Sequence, residues 1–121
     1  MKILLIDDEQ SILDIFGKML EKAGNKMVTA MTGKDGINKA INEKPDLILL
    51  DQILPDMNGN EVLKALKQND EIKNTPIAIL SNYTQDTMMQ EAIKLGAADY
   101  IMKYQIDPSE IAQKAQQIAG K

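Results

Sequence analysis

Three apolar runs and one shorter stretch each stop at a polar group. Ile3 to Ile6 runs into Asp7 and Asp8, Leu47 to Leu50 into Asp51, Ile77 to Leu80 into Ser81, and Asp99 to Met102 into Lys103. Three carboxylates brought close together repel one another unless a cation sits among them, and hard oxygen ligands with open positions suit Mg²⁺. A lysine and a hydroxyl on the far side of Asp51 would complement a phosphoryl group, one as a point charge and the other as a hydrogen-bond donor. The chemistry such a set allows is in-line attack by the Asp51 carboxylate on an activated phosphoryl group, with Mg²⁺ and Lys103 offsetting the charge on the equatorial oxygens. Its product is an aspartyl phosphate.

These residues meet only if the runs are parallel strands whose carboxyl ends share one sheet edge. Continuous apolar runs without alternation read as strands buried on both faces, and helical patterns lie between them. From Ser11, the residues Ile12, Ile15, Phe16, Met19, Leu20 and Ala23 share one face, and Gly24 terminates the helix. Met27 to Ala30 is a weaker strand. Thr32 N-caps a helix carrying Ile37, Ala40 and Ile41, which Pro45 closes. Pro55, Asp56, Asn58 and Gly59 are turn residues. Beyond them Val62, Leu63 and Leu66 mark a third helix, which frays over Gln68 to Asn74. Thr84 begins a fourth helix with Met88, Met89, Ala92, Ile93 and Leu95 inward, stopped at Gly96; the two methionines read as core and would also suit an adaptable partner surface. Asp107-Pro108-Ser109-Glu110 starts a fifth, which buries Ile111, Ala115 and Ile118.

Five alternating β-α units predict an α/β fold, a flavodoxin-like (βα)5 single domain spanning residues 1–121 with a doubly wound five-stranded parallel sheet. The first, third and fourth strands are the most apolar and therefore central. That gives the order 2-1-3-4-5, with a switch point between strands one and three, where such sheets bind ligands.

Composition excludes other chemistries. The chain has 18 acidic and 14 basic residues, a net charge of -4, and every basic residue is a lysine. An acidic chain without arginine is poorly suited to nucleic acid. The absence of cysteine removes disulfides and thiolate metal sites. The absence of histidine removes a Ser-His-Asp triad, a histidine-bound zinc and any phosphohistidine made within the chain. No apolar run approaches ~20 residues, and Lys2 leads directly into a strand, so a soluble cytoplasmic protein without membrane contact is expected.

The motifs IDDE at 6–9, LLDQILPDMNG at 49–59, ILSN at 79–82 and GAADYIMK at 96–103 together resemble the receiver domain of two-component response regulators, of the single-domain chemotaxis or phosphorelay type. The resemblance covers essentially the whole chain. It implies that Asp51 is the phosphoacceptor and that Asp8 binds Mg²⁺ directly and Asp7 through water. It implies the backbone carbonyl of Ile53 as a further metal ligand. Ser81 is implied as the switch hydroxyl, Tyr100 as the aromatic that rotates inward behind it, and Lys103 as the phosphate-pairing lysine. It implies a signalling switch that promotes only its own phosphoryl transfer and hydrolysis. The phosphoryl group would come from a sensor histidine kinase or phosphotransfer protein, and the surface of helix four, strand five and helix five would pass the change to a downstream protein target. Ile53 and Tyr83 are expected to flank the path of hydrolytic water and to lengthen the life of the phosphoryl group.

Two positions depart from the family's usual residues. Tyr104 stands where proline commonly follows the lysine with a cis bond. A cis bond before a non-proline costs about 2.5–4 kcal/mol, so a trans bond is expected here. Asn82 stands where a small alanine is more usual. Two other readings stay open at this point. One is a pseudo-receiver that binds partners without using phosphate, for which the missing proline argues and against which the intact acids and lysine argue. The other is a Mg²⁺-dependent phosphatase of the haloacid dehalogenase type, whose usual DxD motif on the first strand is here Asp7-Asp8 and for whose cap domain there is no room.

Overall fold

The computed structural model describes residues 1–82 and 86–120. Tyr83 and Thr84, to which a role beside hydrolytic water and a helix start are assigned above, lie outside the described residues. Five strands, β1 (Lys2–Ile6), β2 (Lys26–Ala30), β3 (Leu47–Asp51), β4 (Ile77–Ser81) and β5 (Asp99–Met102), alternate with helices α1 (Gln10–Lys22), α2 (Gly33–Glu43), α3 (Gly59–Lys67), α4 (Asp86–Lys94) and α5 (Ile111–Ala119). Every strand pair is parallel and the order is β2-β1-β3-β4-β5, as the apolar ranking of the strands predicts.

The alternation of side chains along each strand divides the core in two. Ile3, Leu5, Leu47, Leu49, Ala78, Leu80 and Ile101 meet Ile12, Leu13, Phe16 and Leu20 of α1 and Ile111 and Ala115 of α5. Leu4, Ile6, Ile48, Leu50, Ile77 and Ile79 meet Ala40 of α2, Val62, Leu63 and Leu66 of α3, and Ala92 of α4. The sheet is therefore covered on both faces, and its central strands are apolar on both sides because neither face meets water.

Local signals set the ends of the elements. The Thr32 side chain accepts a hydrogen bond from Asp35 N, and Asn58 does the same for Glu61 N at the start of α3. Asp107 accepts from Ser109 N, and the chain enters α5 through a 3₁₀ turn over Pro108–Glu110. Gly24 and Gly96 stop α1 and α4 at φ 93° and 102°, a region that favours glycine.

Several helix faces differ in detail from the periodicity. Leu13 is buried in α1, whereas Ile15 is exposed. Ala23 is also exposed, beyond the helix end. In α4, Ile93 is 57% exposed and Ala92 provides the deep contact. Helices lying over a twisted sheet bury a narrower stripe than an apolar count suggests, and residues at its margin stay in water. Ile118 is only half-buried for the same reason. The polar stretch after α3 is anchored by Ile72, which is buried in the core.

Candidate functional site

The acids, hydroxyl and lysine meet at the carboxyl ends of β1, β3, β4 and β5. Asp7 N donates to Ala30 O at 2.9 Å, Gln52 N to Leu80 O at 3.0 Å, and Lys103 N to Ser81 O at 2.8 Å. The sheet's hydrogen bonding thus extends past the apolar residues and fixes the backbone from which each functional side chain projects. Asp7, Asp51 and Lys103 continue the alternation of Leu5, Leu49 and Ile101 on the α1–α5 side, whereas Ser81 continues that of Ile77 and Ile79 on the other.

Asp8, Glu9, Asp51, Gln52, Ile53, Ser81 and Asn82 line a cleft of about 190 Å³ at this edge. Asp7 and Lys103 are buried beneath it, Ser81 is buried in its wall, and Asp51 is 5% exposed at its floor. Asp8 is exposed at the cleft. The Lys103 ammonium lies 2.9 Å from Asp7 Oδ2, 2.9 Å from Glu9 Oε1 and 3.3 Å from Asp51 Oδ1. Asp7 Oδ1 accepts from Glu9 N at 2.8 Å, so both oxygens of Asp7 are engaged.

Electrostatics separate the carboxylates. Burial, then the charges of Asp7 and Asp8, raise the Asp51 carboxyl to about 7 despite Lys103. Burial also pushes Asp7 up, against the pull of its bond from Lys103. Glu9 is held down by hydrogen bonds from the Tyr104 hydroxyl and from Lys103, with a smaller share from Asn82. Burial pulls the Lys103 ammonium down, but its bonds to Asp7 and Glu9 and the Asp51 charge outweigh it and leave the group raised.

Carboxylate oxygens of Asp7, Asp8 and Asp51 all lie within 4.8 Å of one another. With one buried ammonium against this cluster and Asp51 pushed up by burial and by the charges of Asp7 and Asp8, the donor set fits a hard divalent cation. The loop's own bonds run from Leu54 N to Met57 O and from Gly59 N to Gln52 O, and Ile53 O takes no part in them.

The loop that carries this edge is built more tightly than its turn residues suggest. A Cβ on Gly59 would lie 2.7 Å from Asp51 O and 3.0 Å from Gln52 Cα, so glycine is required by the close approach of α3 to the end of β3. The Asp56 carboxylate accepts from Gly33 N at 2.7 Å and Lys34 N at 2.9 Å, tying the loop to the positive end of α2.

Three features of the site are absent from the sequence reading: the Asp56 cap, Glu9 as a Lys103 partner, and a buried amide pair. Gln52 Nε2 donates to Asn60 Oδ1 and Asn60 N to Gln52 Oε1, with both residues buried. The available signals were the third acid of IDDE and two amides in otherwise apolar surroundings. Tyr100 is half-buried against the cluster of Ile77, Ile79 and Ala92, and its hydroxyl is buried with no hydrogen-bond partner among the described residues. No cis peptide bond occurs among the described residues, so Tyr104 follows Lys103 in trans as expected.

Residues 3–116 match the family model of the response regulator receiver domain. The chain belongs to that family. Its receiver is 38% identical over 117 residues to the alkaline phosphatase synthesis transcriptional regulatory protein PhoP of Bacillus subtilis, a match covering 97% of this chain and 48% of PhoP. It is 35% identical over 114 residues to sporulation initiation phosphotransferase F of the same organism, covering 93% of this chain and 90% of that protein. The chain thus spans about half of PhoP and nearly all of the phosphotransferase. Among solved structures, the receiver resembles the chemotaxis response regulator CheY4 of Vibrio cholerae, with a TM-score of 0.89, 31% identity and 97% of each chain covered.

Receiver domains are phosphorylation-dependent signalling switches that bind Mg²⁺ at an acidic pocket and interact with histidine kinases or phosphotransfer proteins and with downstream targets. This membership, with Asp51 on the third strand rather than the first, argues against the dehalogenase-type phosphatase. Among the described residues no helix is long and apolar enough to cross a membrane.

Proposed function

We propose that residues 1–121 act as a receiver whose Asp51 accepts a phosphoryl group from a partner's phosphohistidine. The observation that carries this is the setting of Asp51: a nearly buried carboxylate at the floor of an acidic cleft, with a buried ammonium 3.3 Å from its Oδ1. An Asp51 oxygen attacks phosphorus in line, the bond to the donor nitrogen breaks, and its electron pair leaves with the imidazole. Lys103 meets the charge that develops on the phosphoryl oxygens, and the Ser81 hydroxyl turns toward them. Asp8, Asp51 and the Ile53 carbonyl would hold Mg²⁺, with Asp7 joining through water, and the ion would supply further positive charge to the phosphoryl group. The engagement of both Asp7 oxygens supports that outer role.

The switch reading rests on two neighbouring strands. Ser81 pairs with Met102, and Tyr100 with Ile79, so Ser81 and Tyr100 share the sheet face that α4 covers. A phosphoryl group that draws Ser81 toward it changes the packing around Tyr100 and shifts a pre-existing equilibrium of the α4–β5–α5 surface, where a downstream target would dock.

The test is intact mass after incubation with acetyl phosphate, with and without Mg²⁺. A Mg²⁺-dependent gain of one phosphoryl group, absent in Asp51→Asn, is expected. No gain in a folded protein would favour a pseudo-receiver that binds partners without phosphate.

A further inference from the structure

The two positions at which the chain departs from the family's usual residues converge on one carboxylate. Tyr104 donates its hydroxyl hydrogen bond to Glu9, and the Asn82 side chain helps, more weakly, to hold the Glu9 carboxyl below its usual range. Glu9 in turn accepts from the Lys103 ammonium at 2.9 Å, and the Tyr104 ring centroid lies 5.9 Å from the same ammonium. A lysine ammonium has three N–H donors, and here three carboxylates surround it: Asp7 below, Glu9 beside the mouth, Asp51 in front. Only Glu9 of the three is substantially solvent-accessible, with 35% of its side chain exposed. Left alone, an exposed glutamate has little reason to stay over the cleft, because surface ion pairs barely offset the entropy of holding long side chains. The tyrosine hydroxyl supplies that reason.

We propose that Tyr104 and Glu9 are positioning residues for Lys103: Tyr104 clamps Glu9, and Glu9 holds the ammonium in front of Asp51. Neither touches the phosphoryl group; both act through the lysine. In this chain side-chain bonds aim Lys103, where the family's usual proline would shape the backbone after it. The backbone here is held instead by Gln105 N and Ile106 N, which both donate to Met102 O at 3.1 Å. The inference rests on Asp51 being the phosphoacceptor only for its kinetic consequence; the aim of Lys103 is testable without phosphate.

The experiment compares wild type, Tyr104→Phe, Glu9→Gln and the double variant. Tyr104→Phe keeps the ring beside the ammonium and removes only the hydroxyl. Two readouts are taken: the rate of phosphorylation by acetyl phosphate at saturating Mg²⁺, and the ¹⁵N NMR signal of the Lys103 ammonium in unphosphorylated protein. Each single variant is expected to slow phosphorylation about three- to tenfold, the net scale of one ordinary hydrogen bond. Each should also speed hydrogen exchange of the Lys103 ammonium. The double variant should be no slower than Glu9→Gln, because one chain of contacts is cut in two places. Unchanged Mg²⁺ affinity in Tyr104→Phe separates aim from metal binding.

Three results would overturn the proposal: an unchanged ammonium signal in Tyr104→Phe, a changed signal with an unchanged rate, or fully additive losses in the double variant. If wild type itself takes up no phosphate, the acceptor reading fails, and the ammonium signal alone decides whether Tyr104 and Glu9 hold the lysine.

Discussion

The Lys103 ammonium lies closer to Asp7, at 2.9 Å, than to Asp51, at 3.3 Å. Its charge offsets Asp7 first, and Asp51 is left with burial and like-charged neighbours that raise its carboxyl to about 7 from 3.8. In the metal-free protein this sets a sign for stability against pH. Between about pH 4 and about pH 7 the folded state binds more protons at Asp51 than the unfolded state does, so this group's contribution becomes less favourable as pH rises through that window and levels off above it. Asp51→Asn should therefore be more stable than wild type at neutral pH in EDTA, by up to a few kcal/mol. The advantage should vanish near pH 4. Urea unfolding of the two proteins across this range measures it, and a constant difference would contradict the assignment.

The same repulsion predicts how the fold responds to a divalent cation. An ion bound among Asp8, Asp51 and Ile53 stabilises the folded state by mass action, about 2.7 kcal/mol at a hundredfold excess over its dissociation constant. Thermal unfolding should shift upward with added Mg²⁺, and the shift should be lost on chelation. Asp8→Asn should abolish most of it while leaving the metal-free midpoint near that of wild type, since Asp8 is exposed. A Mg²⁺ shift that survives Asp8→Asn would place the ion elsewhere.

The fold was legible because its signals are redundant. Three uninterrupted apolar strands, the helix stops at Gly24 and Gly96 and the N-caps at Thr32 and Asp107 all agree with one topology. The strand-end acids were legible for the same reason, since the sheet order brings them together whatever their rotamers. What escaped depends on distances between separate elements. Glu9 reads as one more exposed acid until Lys103 is found beside it, and Asp56 reads as a turn residue until the α2 amides appear in front of it. The need for Gly59 is likewise invisible in a sequence, because it comes from the backbone of β3 and not from its own φ. Ile15 and Ile93 show the opposite limit: an apolar side chain at the right spacing stays in water once the stripe is covered.

Tyr100 carries a buried hydroxyl with no partner among the described residues. An unsatisfied buried polar group of this kind costs about 1–3 kcal/mol. Tyr100→Phe removes the hydroxyl and keeps the ring against Ile77, Ile79 and Ala92. The variant should be as stable as wild type or more so, by up to about 2 kcal/mol in urea unfolding. Its response to phosphorylation should nevertheless weaken if the hydroxyl finds a partner only in the switched arrangement. Destabilisation by Tyr100→Phe would show that the hydroxyl is already satisfied in the resting protein.

The buried amides of Gln52 and Asn60 join the neighbour of Asp51, the proposed acceptor, to the helix that the switch is expected to move. Gln52 follows Asp51 directly, its side chain exchanges two hydrogen bonds with Asn60, and Asn60 Nδ2 reaches Met88 O in α4 at 3.4 Å. Replacing Asn60 alone strands the Gln52 Nε2 donor, whereas replacing both removes that donor but leaves the backbone N–H of residue 60 without its Gln52 Oε1 acceptor. Asn60→Leu should thus lower stability by about 1–3 kcal/mol, and Gln52→Leu with Asn60→Leu should recover part of that loss, the remainder reflecting the backbone N–H of residue 60. The contact to Met88 O is lost in both. Hydrogen exchange of the α4 amides should accordingly rise in Asn60→Leu and stay raised in the double variant, even where global stability partly returns. Exchange that recovered along with stability would mean that α4 is held by packing alone and that the amides serve only each other.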